Sequence, residues 1–210
     1  MTTKSAPSPQ GRVFSGASDA LCLAFVNTVA WRKAERPEER LPSPFALLDW
    51  CAGAGLCEAG HAAELRRRWT ERPREARGVY RRAVALREAI YRIFRSRIRS
   101  EAVPEKELRV LNRVLAAAPT RVCLAPKGSG FGWAATRRAA PMHILAPIAW
   151  SAADLLIGPR ARRVRQCADE KGCGWLFIDE SRAGTRRWCS MGECGNRAKA
   201  RRHYLRRKKA

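Results

Sequence analysis

Four cysteines toward the C-terminal end constrain this chain more than any other feature. They run Cys167, five residues, Cys173, fifteen residues, Cys189, four residues, Cys194. Two closely spaced pairs joined by a connection of that length suit a tetrahedral metal ion, because each pair supplies two thiolates from one turn and the connection brings the turns together. Four sulfurs suit Zn2+ better than the oxygen-seeking calcium or magnesium. From the residue types alone, an iron–sulfur cluster and buried, unligated thiols stay open as alternatives. Glycine follows a cysteine in each pair, at Gly174 and Gly195, and predicts a positive φ that turns backbone N–H groups toward sulfur. With four sulfur ligands the tetrahedron is complete, so His203 is not needed and no position is left open for catalysis.

The residues around the cysteines extend this reading. Residues 175–178 (WLFI) predict a strand, residues 182–185 a turn containing Gly184, and residues 187–189 the returning strand. Trp175 and Trp188 are expected to cover the metal as a miniature core, since a module this small has few other apolar residues to bury. After the last cysteine, Asn196 is placed to cap a helix over residues 197–209, which contain no acidic residue. A solvated basic tail is the bland alternative, but a helix held behind a metal knuckle is suited to docking on phosphates. The candidate nucleic-acid contacts are Arg182, Arg186, Arg187, Arg197, Lys199, Arg201, Arg202 and Arg206. A formal charge of +23 and a pI near 11.1 point to a polyanionic partner, DNA with RNA as the alternative. Arg- and Ala-rich composition explains part of that excess, but not its concentration at one end.

The 210 residues allow one domain of ordinary size plus a small module. Residues 1–12 carry no apolar period and are expected to form a flexible leader. Residues 13–158 are expected to form a helical domain, with helices over 20–31, 44–54 (Ser43 as cap, Pro44 at the first position), 79–99, 105–118 and 147–157. Val79, Ala83, Leu86, Ile90 and Phe94 mark the core face of the third, and Leu108, Leu111 and Leu115 that of the fourth. Residues 121–124 and 131–136 predict a β-hairpin around a Gly-rich loop, which lacks the Lys-Ser/Thr pair of a phosphate-binding loop. Residues 159–166 read as a basic linker and 167–210 as the zinc module.

The fold class is therefore mainly α: a helical domain with a small hairpin, then a treble-clef-like module of hairpin plus basic helix. Cys22, Cys51, Cys57 and Cys123, scattered among apolar residues, read as reduced thiols rather than a disulfide framework. No apolar run reaches the roughly 18–20 residues needed to span a bilayer, and the run over 20–31 is broken by Asn27 and Thr28. A cytoplasmic, nucleoid-associated protein with no membrane partner is expected. His61 and His143 have no nucleophile–base motif beside them, so no enzyme is expected.

The string from Arg187 to Lys199 (RWCSMGECGNRAK) closely resembles the CGNR zinc finger family, whose tetrad stands at Cys194, Gly195, Asn196 and Arg197, and the preceding CGWLFID at 173–179 is similar to it as well. Residues 21–28 (LCLAFVNT) resemble the opening motif of the ABATE domain, with Ala24 where that family more often has Asp, and residues 153–156 (ADLL) resemble its end. The resemblance implies a bacterial, stress-induced type of transcription regulator. Its finger would bind DNA and its N-terminal domain would sense a signal or form a homodimer. The alternative is an RNA- or ribosome-associated basic zinc protein, which would need aromatic platforms for unstacked bases, with Trp175, Phe177, Trp188 and Tyr204 as candidates.

Overall fold

A computed structural model describes residues 21–57, 59–119, 124–127, 130–133, 140–169 and 171–208. The leader expected over 1–12, and Cys123, lie outside the described residues. The chain is mainly helical, and α4 (Pro73–Ile98) is its axis, packing against α1 (Leu21–Val26), α2 (Pro44–Gly53), α3 (Ala59–Glu71) and α5 (Glu105–Ala116). The predicted stripe Val79, Ala83, Leu86, Ile90 and Phe94 is buried along one face of α4. The helix starts at Pro73, earlier than its apolar period announces. Proline's fixed φ suits the first helical position, and Glu75 in the first turn takes a bidentate hydrogen bond from Arg68.

The structure differs from the sequence expectations at several points in the helical part. The apolar run over 20–31 forms a helix only to Val26: the Thr28 hydroxyl donates to the Phe25 carbonyl (2.7 Å), and Val29–Ala30 then pairs as β1 with β2 (Glu38–Glu39). Helix α3 has no sequence forecast because only Leu65 and Trp69, one turn apart, are buried along it. In α5 the buried residues are Glu107, Leu111 and Val114; of the expected Leu108, Leu111 and Leu115, Leu111 is buried and Leu115 packs half-buried against the core. Arg92 donates to the Glu107 carboxylate (3.1 Å), which lets a carboxylate take an inward position, and Leu108 faces outward. The central hairpin exists: β3 (Leu124–Lys127) pairs with β4 (Gly130–Trp133), Lys127 opposite Gly130, while residues 121–123 and 134–136 of the expected strands lie outside the described residues.

Helix α2 is capped as its sequence predicts, Ser43 accepting from the Ala46 amide (3.1 Å). Helix α6 (Ala146–Ile157) covers α1, and the Cys22 amide donates to the Ser151 hydroxyl (3.1 Å). A 3₁₀ turn (Pro159–Arg163) then leads into β5 (Val164–Gln166), which pairs antiparallel with β6 (Leu176–Ile178). Val164 and Leu176 of this pair belong to the main hydrophobic core, with Leu176 only 1 % exposed. The stretch read as a basic linker is thus folded. Its three-residue strand is too short to register as a period, and its inward residue is the single Val164 between arginines. Among the described residues no helix is long and apolar enough to cross a membrane.

Candidate metal centre and its docking on the helical domain

Strands β5 and β6 form a hairpin whose tip carries the first cysteine pair. Cys167 follows β5 directly, and Cys173 stands three residues before Leu176. The Cys167 amide donates to the Trp175 carbonyl (2.8 Å), closing the knuckle. The return strand expected at 187–189 does not form. β6 takes β5 as its partner, the Arg187 carbonyl accepts from the Ala168 amide (2.9 Å), and the Arg187 guanidinium lies 5.3 Å over the Trp188 ring. Asp179, fully buried, organises the intervening turn by accepting from the amides of Ser181 (3.0 Å) and Arg186 (2.8 Å).

The second pair lies on either side of the entry to a π-helical turn (Met191–Gly195) that continues into α7 (Asn196–Arg207). Ser190 caps this turn, accepting from the Glu193 amide (3.3 Å). Asn196, expected as the cap, is instead the first residue of α7 and donates its amide to the Gly192 carbonyl (3.0 Å). Gly174 has the predicted positive φ of 68°, but Gly195 is helical at −64°. Glycine at 195 gives room to the Met191 side chain, whose sulfur would lie 3.0 Å from a Cβ there.

The fold brings the Sγ atoms of Cys167, Cys173, Cys189 and Cys194 within 4.8 Å of one another. Cys189 lies 3.6 Å from both Cys173 and Cys194, sulfur to sulfur. A tetrahedron with metal–sulfur bonds of about 2.3 Å has edges of about 3.8 Å, so the donor set fits Zn2+ closely. Without a cation so many thiols cannot all ionise. Donation from the Cys173 and Cys189 thiols, aided by the Cys189 and Asp169 amides, holds Cys167 far below the ordinary thiol range. Cys173 and Cys189 are pushed up by hydrogen bonding to Cys167, and Cys194 by burial. Zinc would be held by these four sulfurs and supply folding energy to the module while displacing their protons.

Trp175 and Trp188 pack with Phe177 around the cysteines, as their role in a miniature core predicts. Trp175 also reaches outside the module, its indole N–H donating to the Val29 carbonyl (3.0 Å) while Arg40 lies over its ring at 5.2 Å. This is one of several ties between knuckle and helical domain that the cysteine pattern does not reveal. Asn27 meets Leu176 twice, donating to its carbonyl (2.8 Å) and accepting from its amide (3.0 Å), as a neighbouring strand would. The Arg32 and Lys33 amides donate to the carbonyls of Cys173 (3.1 Å) and Gly172 (2.9 Å). Gly172 has φ 113°, and a Cβ on it would come within 2.7 Å of the Ala34 nitrogen. Gln166 donates to the Tyr91 hydroxyl (2.6 Å). The Arg32 side chain runs beneath, 4.2 Å from the Tyr91 ring, and forms a bidentate pair with Glu88 (2.8 and 3.0 Å). The one sequence signal for this dock was Asn27, a polar residue in an otherwise apolar run.

The candidate nucleic-acid contacts divide into two groups. Arg182, Arg187, Lys199, Arg201, Arg202 and Arg206 are exposed. Arg186, although exposed as well, and half-buried Arg197 are also held by contacts within the protein. Arg186 donates to the carbonyls of Trp188 (2.8 Å) and Cys189 and lies 4.9 Å over Phe177. Arg197 pairs with buried Asp169 (2.8 Å), donates to the Cys194 sulfur (2.9 Å) and stacks on Trp31 (4.7 Å). The arginine of the CGNR tetrad is therefore a brace for the metal centre.

The sequence profile of the ABATE family, described as "putative stress-induced transcription regulator", matches residues 19–159. That of the CGNR zinc finger matches residues 163–207. No curated protein matches the chain.

Proposed function

The chain belongs to the ABATE family and carries a CGNR zinc finger, and on that premise we propose that it is a zinc-dependent DNA-binding protein of transcriptional control. Helix α7 carries the reading. It has six Lys and Arg among its twelve residues, no acidic residue and no buried one, and it grows directly out of the turn that holds Cys194. Zinc would hold that turn and so fix the direction of the helix, which distinguishes α7 from a loose cationic tail. The helical domain serves as the sensing or dimerising part, and the folded unit acts in the cytoplasm on the nucleoid.

The aromatic inventory supports a duplex over unpaired RNA. Trp175, Phe177 and Trp188 are packed into the module, which leaves Tyr204 as the exposed candidate for base stacking. The matched families are of regulator and zinc-finger type rather than enzyme families. Selection of the zinc-loaded full chain against random duplex and random single-stranded RNA pools tests the proposal. An enriched duplex sequence whose advantage over random duplex disappears in Arg201→Ala/Arg206→Ala is the expected result. Enrichment confined to RNA, or the same advantage in the double variant, would refute it.

A further inference from the structure

The apolar stripe of α4 leaves the opposite side of its first turns to arginine. Arg74, Arg77 and Arg81 follow one another at steps of three and four and so share one face, opposite the buried Ala76, Val79 and Ala83. All three are exposed, and none of their side chains has an ion pair or hydrogen bond among the described residues. The carboxylates packed around this half of the helix are engaged by other arginines: Glu75 by Arg68, Glu88 by Arg32 and Arg87, and Glu39 by Arg87. Gly78 stands within the same face, one turn from Arg74 and beside Arg77 and Arg81. A Cβ on it would meet nothing within 4 Å, so packing inside the protein does not require glycine there. Glycine weakens a helix interior relative to alanine; what it offers in return is room for another chain to come close to the helix backbone.

We propose that this half of α4 is a second contact face for the nucleic-acid backbone, in which Arg74, Arg77 and Arg81 take phosphates and Gly78 lets the sugar–phosphate chain lie close to the helix. The inference rests on the nucleic-acid reading above and extends it from the finger to the helical domain. Arginine suits the task because its planar fork donates two hydrogen bonds to one phosphate. An acidic protein would meet the same charge but would not need the glycine: a carboxylate side chain reaches an arginine from a distance, whereas a phosphodiester carries its charge in its main chain. The face is also continuous with the dock of the finger. Glu88, two turns beyond Arg81 on the same edge of α4, holds Arg32, whose amide donates to the Cys173 carbonyl. Tyr91, one turn further, accepts from Gln166 of the metal hairpin. At 1.5 Å per residue the arginine face ends about 10 Å along the helix axis from this anchor.

The test is a salt titration of affinity for a duplex of about 30 base pairs, roughly 100 Å long and so able to reach both faces. The proteins are the zinc-loaded full chain, Arg77→Gln/Arg81→Gln, Arg77→Lys/Arg81→Lys, and Arg97→Gln/Lys106→Gln as an equal loss of charge at exposed positions outside the face. Each lost phosphate contact lowers the slope of log affinity against log salt by about 0.9, so over a four-fold rise in salt the wild type should lose about 12-fold more affinity than Arg77→Gln/Arg81→Gln. The lysine double should restore the wild-type slope, and the control double should keep it. Gly78→Gln should melt no lower than the wild type, because its side chain enters open space, yet bind duplex more weakly. An unchanged slope in Arg77→Gln/Arg81→Gln while the wild type binds duplex would overturn the second face and leave the DNA reading standing. No duplex binding by the zinc-loaded wild type would overturn both. Wild-type affinity in Gly78→Gln would overturn the close approach of the backbone. Polyglutamate is the arm for an acidic protein: its binding lost in Arg77→Gln/Arg81→Gln, with equal duplex slopes, would assign the face to such a partner and overturn the backbone contact.

Discussion

Replacing Asn27 with Ala removes two hydrogen bonds that join the first helix to the metal hairpin, both to the backbone of Leu176 (2.8 and 3.0 Å). Leu176 is 1 % exposed and belongs to the main core, so its orphaned amide and carbonyl would be poorly hydrated. A buried polar group left unsatisfied costs about 1–3 kcal/mol. Asn27 itself is half-buried, so partial access of water puts the pair at about 2–4 kcal/mol. For a chain of this size each kcal/mol moves the melting temperature by about 2–4 °C, which gives a fall of roughly 5–15 °C. The informative assay is a competition titration with a zinc chelator. Asn27 stands far from the sulfurs in sequence, but its bonds exist only when the hairpin is folded, and zinc binding is coupled to that folding. If the full cost appears in the metal equilibrium, zinc affinity should fall by about 30-fold to several hundred-fold, at tenfold per 1.4 kcal/mol. An Asn27→Ala protein with wild-type zinc affinity and two separate melting transitions would refute the reasoning, because the finger would then fold independently of the helical domain.

Three further outcomes follow from the same contacts. Arg197→Ala should lower zinc affinity and stability by about 2–4 kcal/mol, since it strips a charge-assisted pair from buried Asp169 and a cation–π contact from Trp31; Arg206→Ala should change stability by less than about 0.5 kcal/mol, and equal melting temperatures for the two variants would show that Arg197 is no brace. Gly172→Ala should destabilise much more than Gly184→Ala: both have positive φ (113° and 63°), but only the first would press a Cβ against the Ala34 backbone, whereas the second meets nothing within 4 Å and should cost only about 1–2 kcal/mol; thermal melts showing the same loss in both would contradict the tight dock. Burial pushes the Glu88 carboxyl up, but Arg32 and Arg87 outweigh it and hold it below its ordinary value of 4.5. A depressed folded pKa gives stability that is complete above the unfolded value and lost as pH falls through the folded one, so the melting temperature should drop as pH falls below about 4.5 and drop less steeply in Glu88→Gln; parallel pH profiles would remove Glu88 from the acid response.

The amino-acid sequence alone determined those features whose signal is local. Cysteine spacing points to a four-sulfur metal site because a ligand set is a matter of residue type and loop length, and the core face of α4 is legible because 3.6-residue periodicity requires only that helix. The Ser43 cap and Pro44 start are equally local, as is the acid-free basic helix after Cys194. Features settled by distant partners could be decided only by the tertiary structure. Strand β6 takes β5 rather than residues 187–189 because the core, through Val164 and Leu176, selects the pairing, and a three-residue strand has no period of its own. Arg197 and Arg186 resemble the other arginines in composition, and only the positions of Asp169, Trp31 and Phe177 make them braces. Asn27 and Leu176 are 149 residues apart, and no local rule pairs them. Their bond forms because helix, hairpin and metal loops close on one core, whose apolar burial outweighs the entropy of bringing such distant segments together.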